Sequence, residues 1–345
     1  MEPIIGLAVG RGTGPELADV FERVLAGIGR LHGTDIQVRR SQRAYHSYFT
    51  LEPTGDTERL TRQDAQHYEA FCRELAGDGV TAVFRTAINA QSLYLVRERL
   101  RAVKVDTIGP LLMVRDQAQG FYTGSNAHAD GVVERTMAFR RDLTEQVIEF
   151  ALRMAERQWP GQGPQRIIMA YKFHLLDGAL GRWVAEIAAR QGVRITLCQP
   201  DTANRNLVEH GFGPRTLLIA GNEWADIMHV MLLDRFGRQR QENRCAENHH
   251  LHPDVAGLVE YQTVHGSADD IAGRNEVNPT ATVRAAAAIA ERHAGCAGAV
   301  DLMERALESL RDNSIGTRDV GGRHGTVAVV EALLEALTVQ PVAGT

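Results

Sequence analysis

The chain has 345 residues, 44% of them hydrophobic and 23% charged, with a net charge of −5. That length suits one large or two medium domains with a real core, and the charge balance gives no electrostatic case for nucleic acid or an anionic membrane as partner. No apolar run approaches the roughly 18 residues of a membrane span, so no transmembrane helix is expected. The N-terminus, MEPIIGLAVGRG, lacks a basic segment and a long apolar segment, so no signal peptide is expected. Cys72, Cys198, Cys245 and Cys296 form no CxxC pair, which favours reduced thiols and a cytoplasmic setting.

Short apolar runs at 3–9, 80–84, 166–171, 193–198, 216–220 and 258–264 read as strands. Helical patterns lie between them. One covers 142–158, with a capping-box-like start from Asp142 to Glu145. Another covers 177–191, with Asp177 as N-cap and Gly192 just past the end. A third covers 279–294, with Asn278 as N-cap and Pro279 at the first helical position. This alternation predicts an α/β fold. The stretch 237–257 has no periodicity and reads as a long loop or arm.

Several segments carry polar residues where chemistry is done. LAVGRGTGPE places Gly10, Gly12 and Gly14 between a strand and a helix, which fits either a phosphate-cradling loop or a plain tight turn. VRDQAQGFYTG puts Arg115 at a strand end, where a guanidinium can grip a carboxylate with two parallel bonds, and Tyr122 in a glycine-flanked loop. Surface placement of the arginine and packing of the tyrosine are the plainer alternatives. MAYKFHLLDG ends an apolar strand on Lys172, either a snorkelling side chain or an amine tuned for proton transfer. HHLH, at 249–252, lacks partners at zinc-motif spacing. In GNEWADIMHV, Asp226 follows a strand end as either a metal ligand or an ordinary helix-start polar residue. VHGSADDIAGRNEVNPTA, at 264–281, is a long polar loop of the kind that usually has a function.

In order along the chain, these segments resemble the isocitrate/isopropylmalate dehydrogenase family, the metal-dependent, NAD(P)-linked β-decarboxylating dehydrogenases. GRGTGPE resembles GDGIGPE, VRDQAQGFYTG resembles RExTxGxYxG, and YKFHLLDG resembles KANxxKxxDG. PDTANRNLV, GNEWADIMHV and TRDVGG resemble VDxxxxxLV, GNxxGDILSD and TRDLGG, and the 264–281 loop resembles the family's cofactor loop. The resemblance implies an isopropylmalate dehydrogenase-like fold of two α/β domains with the active-site cleft between them. The larger would comprise 1–104 and 243–345, and the smaller, carrying dimer contacts, 105–242. It implies Tyr122 as proton donor and Lys172 as base, with Lys172 and the metal ligand Asp201 reaching the site from the partner subunit and Asp226 as the second metal ligand. Ser92, Arg97, Arg101 and Arg115 would face a small anionic hydroxy acid. Thr13, His265, Gly266, Ser267, Ala268, Asp270, Ile271 and Asn278 would hold the cofactor. Asp270 favours NAD over NADP, because a carboxylate accepts from ribose hydroxyls and repels a 2′-phosphate. Mg²⁺ or Mn²⁺ is the implied metal, with its preference for oxygen ligands.

The sequence also departs from the family. Arg11 replaces an aspartate, His174 an asparagine, and VDTIGP the usual ANLRP, which blurs which of Arg97, Arg99 and Arg101 faces substrate. Val230 stands where the family has its second helical metal carboxylate, four residues beyond Asp226. His229, substrate or water could fill the place, or the metal could be absent; Asp234 lies about 12 Å along the axis from Asp226, too far to help. The expected activity is NAD-dependent oxidative decarboxylation of a 3-substituted malate with an anionic or polar group at C3, a phosphonate being one such group. A non-decarboxylating dehydrogenase and a non-catalytic regulatory homologue are the alternatives.

Overall fold

The structure, a computed structural model, describes residues 2–237 and 243–339. Strands β1 (Ile4–Gly10), β2 (Gln37–Tyr45) and β3 (Ala82–Arg85) alternate with helices α1 (Gly14–Leu31), α2 (Tyr48–Leu51) and α3 (Thr57–Gly77). Helix α4 (Ala90–Leu100) leads into β4 (Ala102–Ile108), β5 (Leu111–Asp116), β6 (Ser125–Ala129) and β7 (Val132–Thr136). Next come α5 (Arg141–Gln158), β8 (Arg166–Ala170), α6 (Ala179–Arg190), β9 (Ile195–Cys198), α7 (Pro200–His210), β10 (Thr216–Gly221) and α8 (Asn222–Phe236). The chain closes with β11 (Cys245–His250), β12 (Val259–Thr263), α9 (Thr280–His293), α10 (Ala299–Asp312) and α11 (Thr326–Val339).

Two compact units form. The first comprises Met1–Leu93, Glu242–Glu247 and Gly257–Thr345, and the second Tyr94–Gln241 and Asn248–Ala256. Residues 94–104 thus group with the middle segment, because β4 is bonded antiparallel to β5 from Val103 to Ile108.

In the first unit β2, β1, β3 and β12 lie side by side, all parallel. Alternate residues of a strand point to opposite faces. Ile5 and Leu7 of β1 meet α1, α9, α10 and α11 in one apolar cluster, with Phe21 stacked on Phe84 at 4.3 Å. Gly6, between them, faces the other way, and a Cβ there would come within 2.4 Å of Leu75 on α3. Beneath α3, Tyr68 donates to Glu260 at 2.7 Å, and Glu260 pairs with Arg85 at 2.8 Å. Both members of the pair are buried, and each satisfies the other, as a buried charge requires.

In the second unit the order is β4, β5, β10, β8, β9, antiparallel at β4–β5 and parallel beyond. Val103, Val105, Leu112 and Val114 face α5 and α6. Leu111 and Met113 face the side covered by α7 and α8. Lys104, Asp106 and Arg115 share that second side by alternation, so three charged residues lie under α8. Strands β6 and β7 form a separate hairpin.

Several local expectations need correction. The α5 helix starts from Arg140 without a side-chain cap; Asp142 instead pairs with Arg140, and Glu145 with Arg190. Asp177 has φ +47° and is followed by Gly178 at +77°, so a left-handed turn, not an N-cap, precedes α6. Asn278 does bond the Thr280 amide at 2.9 Å, although Pro279 is the capping position of α9. The expected loop at 237–257 contains β11, while 238–242 lies outside the described residues.

Candidate active site

Strand β5 ends in Arg115. Its Nε donates to Asn222 Oδ1 at 2.8 Å and its Nη1 to Asp226 Oδ1 at 2.6 Å, both on the first turns of α8. The arginine is buried and the Asp226 side chain 53% exposed, so the pair sits at the edge of the unit with its charge facing out. Asp116, the next residue, turns inward. It accepts from the Ala118 amide, Gln119 Nε2 and Tyr171 Oη at 3.1, 2.9 and 3.0 Å. Burial outweighs these bonds and raises its pKa from 3.8 to about 6.

Tyr122 lies in the turn after β5, shaped by two glycines. Gly120 has φ +106°, and a Cβ on Gly124 would come within 2.1 Å of the Thr136 carbonyl. Arg135 on β7 braces this turn by donating to the carbonyls of Phe121 and Thr123 at 2.7 and 3.0 Å. Glu223 on α8 accepts from the Phe121 amide at 3.1 Å. The Tyr122 ring stacks on Tyr94 at 4.8 Å. Burial first, and then the Asp226 charge, raise the pKa of its hydroxyl, which keeps the phenol protonated.

Lys172 follows β8. Its ammonium donates to Gln199 at 2.9 Å and Asp201 at 3.1 Å and lies 5.2 Å from the centre of the Trp224 ring. The hydrogen bond from Lys172 holds the Asp201 carboxyl below its ordinary pKa. The second unit therefore contains Arg115, Tyr122, Lys172, Asp201 and Asp226, with the first turns of α8 touching the surroundings of all of them. Of the other substrate candidates, Arg101 donates to Gln146 on α5 at 3.0 Å, while Arg97 lies 5.8 Å over the ring of Tyr94, the residue stacked on Tyr122. Ser92, in the first unit, is buried and donates to the Thr61 carbonyl at 3.1 Å.

The donors present do not fit a divalent cation within one chain. Asp226 is engaged by Arg115, and Asp201 by Lys172. His229 does not turn toward Asp226; it bonds Asp106 at 2.6 Å. Val230 contributes no oxygen, and among the described residues no group of three His, Cys, Asp or Glu could hold a metal ion. His249–His252 makes no site either: His250 is buried in β11, His249 packs on Phe150, and His252 Nδ1 accepts from the Asp254 amide.

In the first unit, the glycine loop packs against the loop at 265–271. A Cβ on Gly10 would come within 1.8 Å of the Ala87 carbonyl, and one on Gly12 within 2.4 Å of the Ser267 carbonyl. The glycines thus serve close backbone approach, the tight-turn alternative. Thr13 is buried, and both its amide (2.9 Å) and its hydroxyl (3.0 Å) donate to the Ser267 carbonyl, so it shapes the loop. Ser267 and Ser47 both donate to Asp269. Ala268 takes φ +43° at the start of the short 3₁₀ turn Asp269–Ile271. Asn278 Nδ2 is shared between Asn243 and Asp319 at 3.0 and 2.7 Å.

Two features of this loop fit a dinucleotide. His265 Nε2 is buried without a hydrogen-bond partner among the described residues, and burial holds the imidazole below its ordinary pKa, hence neutral. Asp270 is exposed and has no ion-pair or hydrogen-bond partner among the described residues, so its carboxylate is open to ribose hydroxyls.

Some residues escaped the sequence reading. Asn222 and Glu223 brace Arg115 and the Tyr122 turn; their position at a strand–helix junction was the available signal. Lys104 is the larger omission. It is 8% exposed, and burial, followed by the Arg115 charge, lowers its pKa to about 8. A lysine inside the apolar run AVKV marked it.

The architecture is that of the isocitrate/isopropylmalate-type dehydrogenases. Isocitrate dehydrogenase from Methylococcus capsulatus superposes with a TM-score of 0.69 at 20% identity, covering 97% of this chain and 99% of that one. A β-decarboxylating dehydrogenase from Thermococcus kodakarensis gives 0.64 at 21%, covering 98% and 96%. In sequence, residues 248–335 match the family model described as isocitrate/isopropylmalate dehydrogenase. The 3-isopropylmalate dehydrogenase of Bacillus cereus is 23% identical over 380 aligned residues, covering 100% of this chain and 99% of the relative. Family model, full-length relatives and fold together support a divergent member of the isocitrate/isopropylmalate dehydrogenase family.

Proposed function

We propose that the protein is an NAD-dependent dehydrogenase that oxidatively decarboxylates a 3-substituted malate. The observation that carries this reading is the arginine at the end of β5. It is braced by Asn222 and Asp226, and the charges of Asp226 and Arg115 reach the protonated Tyr122 hydroxyl. Arg115 Nη2 has no partner among the described residues, so the guanidinium can take a substrate carboxylate without losing its bond to Asn222. NAD, held by His265–Ile271, would accept the hydride from the hydroxyl-bearing carbon. Lys172, acting as the neutral amine after it gives up one proton, takes the hydroxyl proton and becomes the ammonium, with Gln199, Asp201 and Trp224 fixing its position. Tyr122 returns a proton to the carbon that loses CO₂, a role its raised pKa suits. No step is derived through a metal, because the donor set in one chain does not fit one.

Two further proposals accompany this one. Ile227, Val230 and Met231 form an exposed apolar stripe on α8, and Val132 and Val133 are exposed on the hairpin; we assign both surfaces to a homodimer. We also place the protein in the cytoplasm, where its four free cysteines stay reduced. Among the described residues, no helix is long and apolar enough to cross a membrane.

The test is NADH formation across a panel of 3-substituted malates, with the carbon product identified. Tyr122→Phe is expected to form NADH while decarboxylated product falls by about tenfold or more, the lower range of general-acid effects. Lys172→Ala should lower both. NADH formation unchanged in Lys172→Ala overturns the assignment.

A further inference from the structure

We infer that Lys104 is a substrate-specificity residue: with Arg115 it forms a subsite for an additional anionic group, a carboxylate or phosphonate, on the C3 substituent of the malate. The inference rests on the proposed dehydrogenase function for the identity of the ligand, and on geometry for the residue.

Lys104 and Arg115 are directly opposed in the antiparallel β4–β5 register and point to the α8 side of the sheet. Side chains at directly opposed positions stand about 5 Å apart at Cβ, and like charges so placed repel. Lys104 is 8% exposed, and its ammonium has no hydrogen bond or ion pair among the described residues. An ammonium on a residue this enclosed keeps little of its water shell, and an anionic ligand would supply the acceptors it lacks.

The carboxylates near it are committed. Asp226 takes Arg115 at 2.6 Å, and Asp106 takes His229 at 2.6 Å. Val230, one turn beyond Asp226, brings no charge. Arg97 adds positive charge from α4. The sheet thus sets a lysine and an arginine side by side, with the ammonium's donors unused beside the arginine proposed to grip the substrate. A ligand anchored on Arg115 brings a further anionic group into reach of Lys104. An alkyl group there would leave the amine unsatisfied.

The experiment compares binding of tricarballylate and 2-ethylsuccinate by calorimetry. Both keep the succinate core that matches the malate backbone, and they differ only in the carboxylate or methyl group that ends the C3 substituent. Wild-type protein is expected to prefer tricarballylate by about tenfold or more, the range of one charge-assisted hydrogen bond. Lys104→Met, which keeps the volume and removes the charge, is expected to bring that ratio close to one. Equal affinities in the wild type overturn the inference without any variant. A ratio unchanged in Lys104→Met, or in Lys104→Gln should the first variant not fold, overturns it as well. Binding needs no turnover, so the outcome stands even if no malate yields NADH. Conversely, NADH formation from 3-alkyl and 3-carboxymethyl malates at equal efficiency upholds the dehydrogenase and removes the subsite.

Discussion

Asp116 is the residue whose protonation should be visible in the stability of the protein. It is fully buried beside Arg115, and three hydrogen bonds that favour its charge do not outweigh the loss of water around it. Its pKa rises from 3.8 to about 6, so the folded state holds a proton that the unfolded chain releases at lower pH. The associated stability is fully present below the unfolded pKa and is lost as pH rises through about 6. A shift of this size corresponds to about 3 kcal/mol in all, of which about 2 kcal/mol falls between pH 4.5 and 7. Asp116→Asn removes the titration and keeps the shape. It also turns one acceptor into a donor facing Gln119 and Tyr171, at a cost of about 1–3 kcal/mol that does not depend on this proton. Urea unfolding of both proteins across that range gives the comparison. Wild type should lose its advantage over the variant as pH rises, by about 2 kcal/mol. A stability difference constant with pH to within about 0.5 kcal/mol would refute the reasoning.

Three other outcomes follow from the geometry. Val230→Asp places a second carboxylate one helical turn from Asp226 and should tighten Mn²⁺ binding at least about tenfold, measured by calorimetry; no gain would mean that Arg115 keeps Asp226 from any cation. Asp270→Ala removes the exposed carboxylate that faces no protein partner and should weaken NAD binding by about 1–2 kcal/mol while leaving thermal stability unchanged; unaltered affinity removes Asp270 from the cofactor site. Met231→Glu introduces charge into the apolar stripe on α8 and should shift the species seen in sedimentation toward monomer; an unchanged oligomer relocates the interface.

The alternation of apolar runs with helical periods was enough to read the α/β class, because both patterns report burial on one face. The ordered motifs also located β5, β8, β10 and α8, the elements that present Arg115, Lys172 and Asp226. Hydrogen-bond partners were not legible. Thr13 and Ser92 resemble ligand-binding residues by position, yet both spend their hydroxyls on backbone carbonyls, Ser267 and Thr61, that lie 254 and 31 residues away. Arg101 looked like a substrate arginine but sits at φ +53°, where the turn into β4 directs it to Gln146. Strand β11 was hidden because its residues, CAENHH, carry no apolar alternation. Lys104 was hidden for a different reason: its significance depends on which residue of β5 faces it, and register is a tertiary property.

Val230 and Lys104 make one argument when they are taken together. A family-type site under α8 would balance two carboxylates against a divalent cation. Here one of those carboxylates is replaced by valine, and the other, Asp226, already carries a guanidinium on one oxygen. The positive charge comes instead from Arg115 and Lys104, fixed on adjacent strands. Asp106, on the same face, bonds His229 at 2.6 Å. A positive pocket built from side chains attracts an anion directly, whereas one built from two aspartates must first recruit a metal. On the proposed function, Val230 and Lys104 act in the same direction, favouring an anionic ligand over a cation on this face of the sheet.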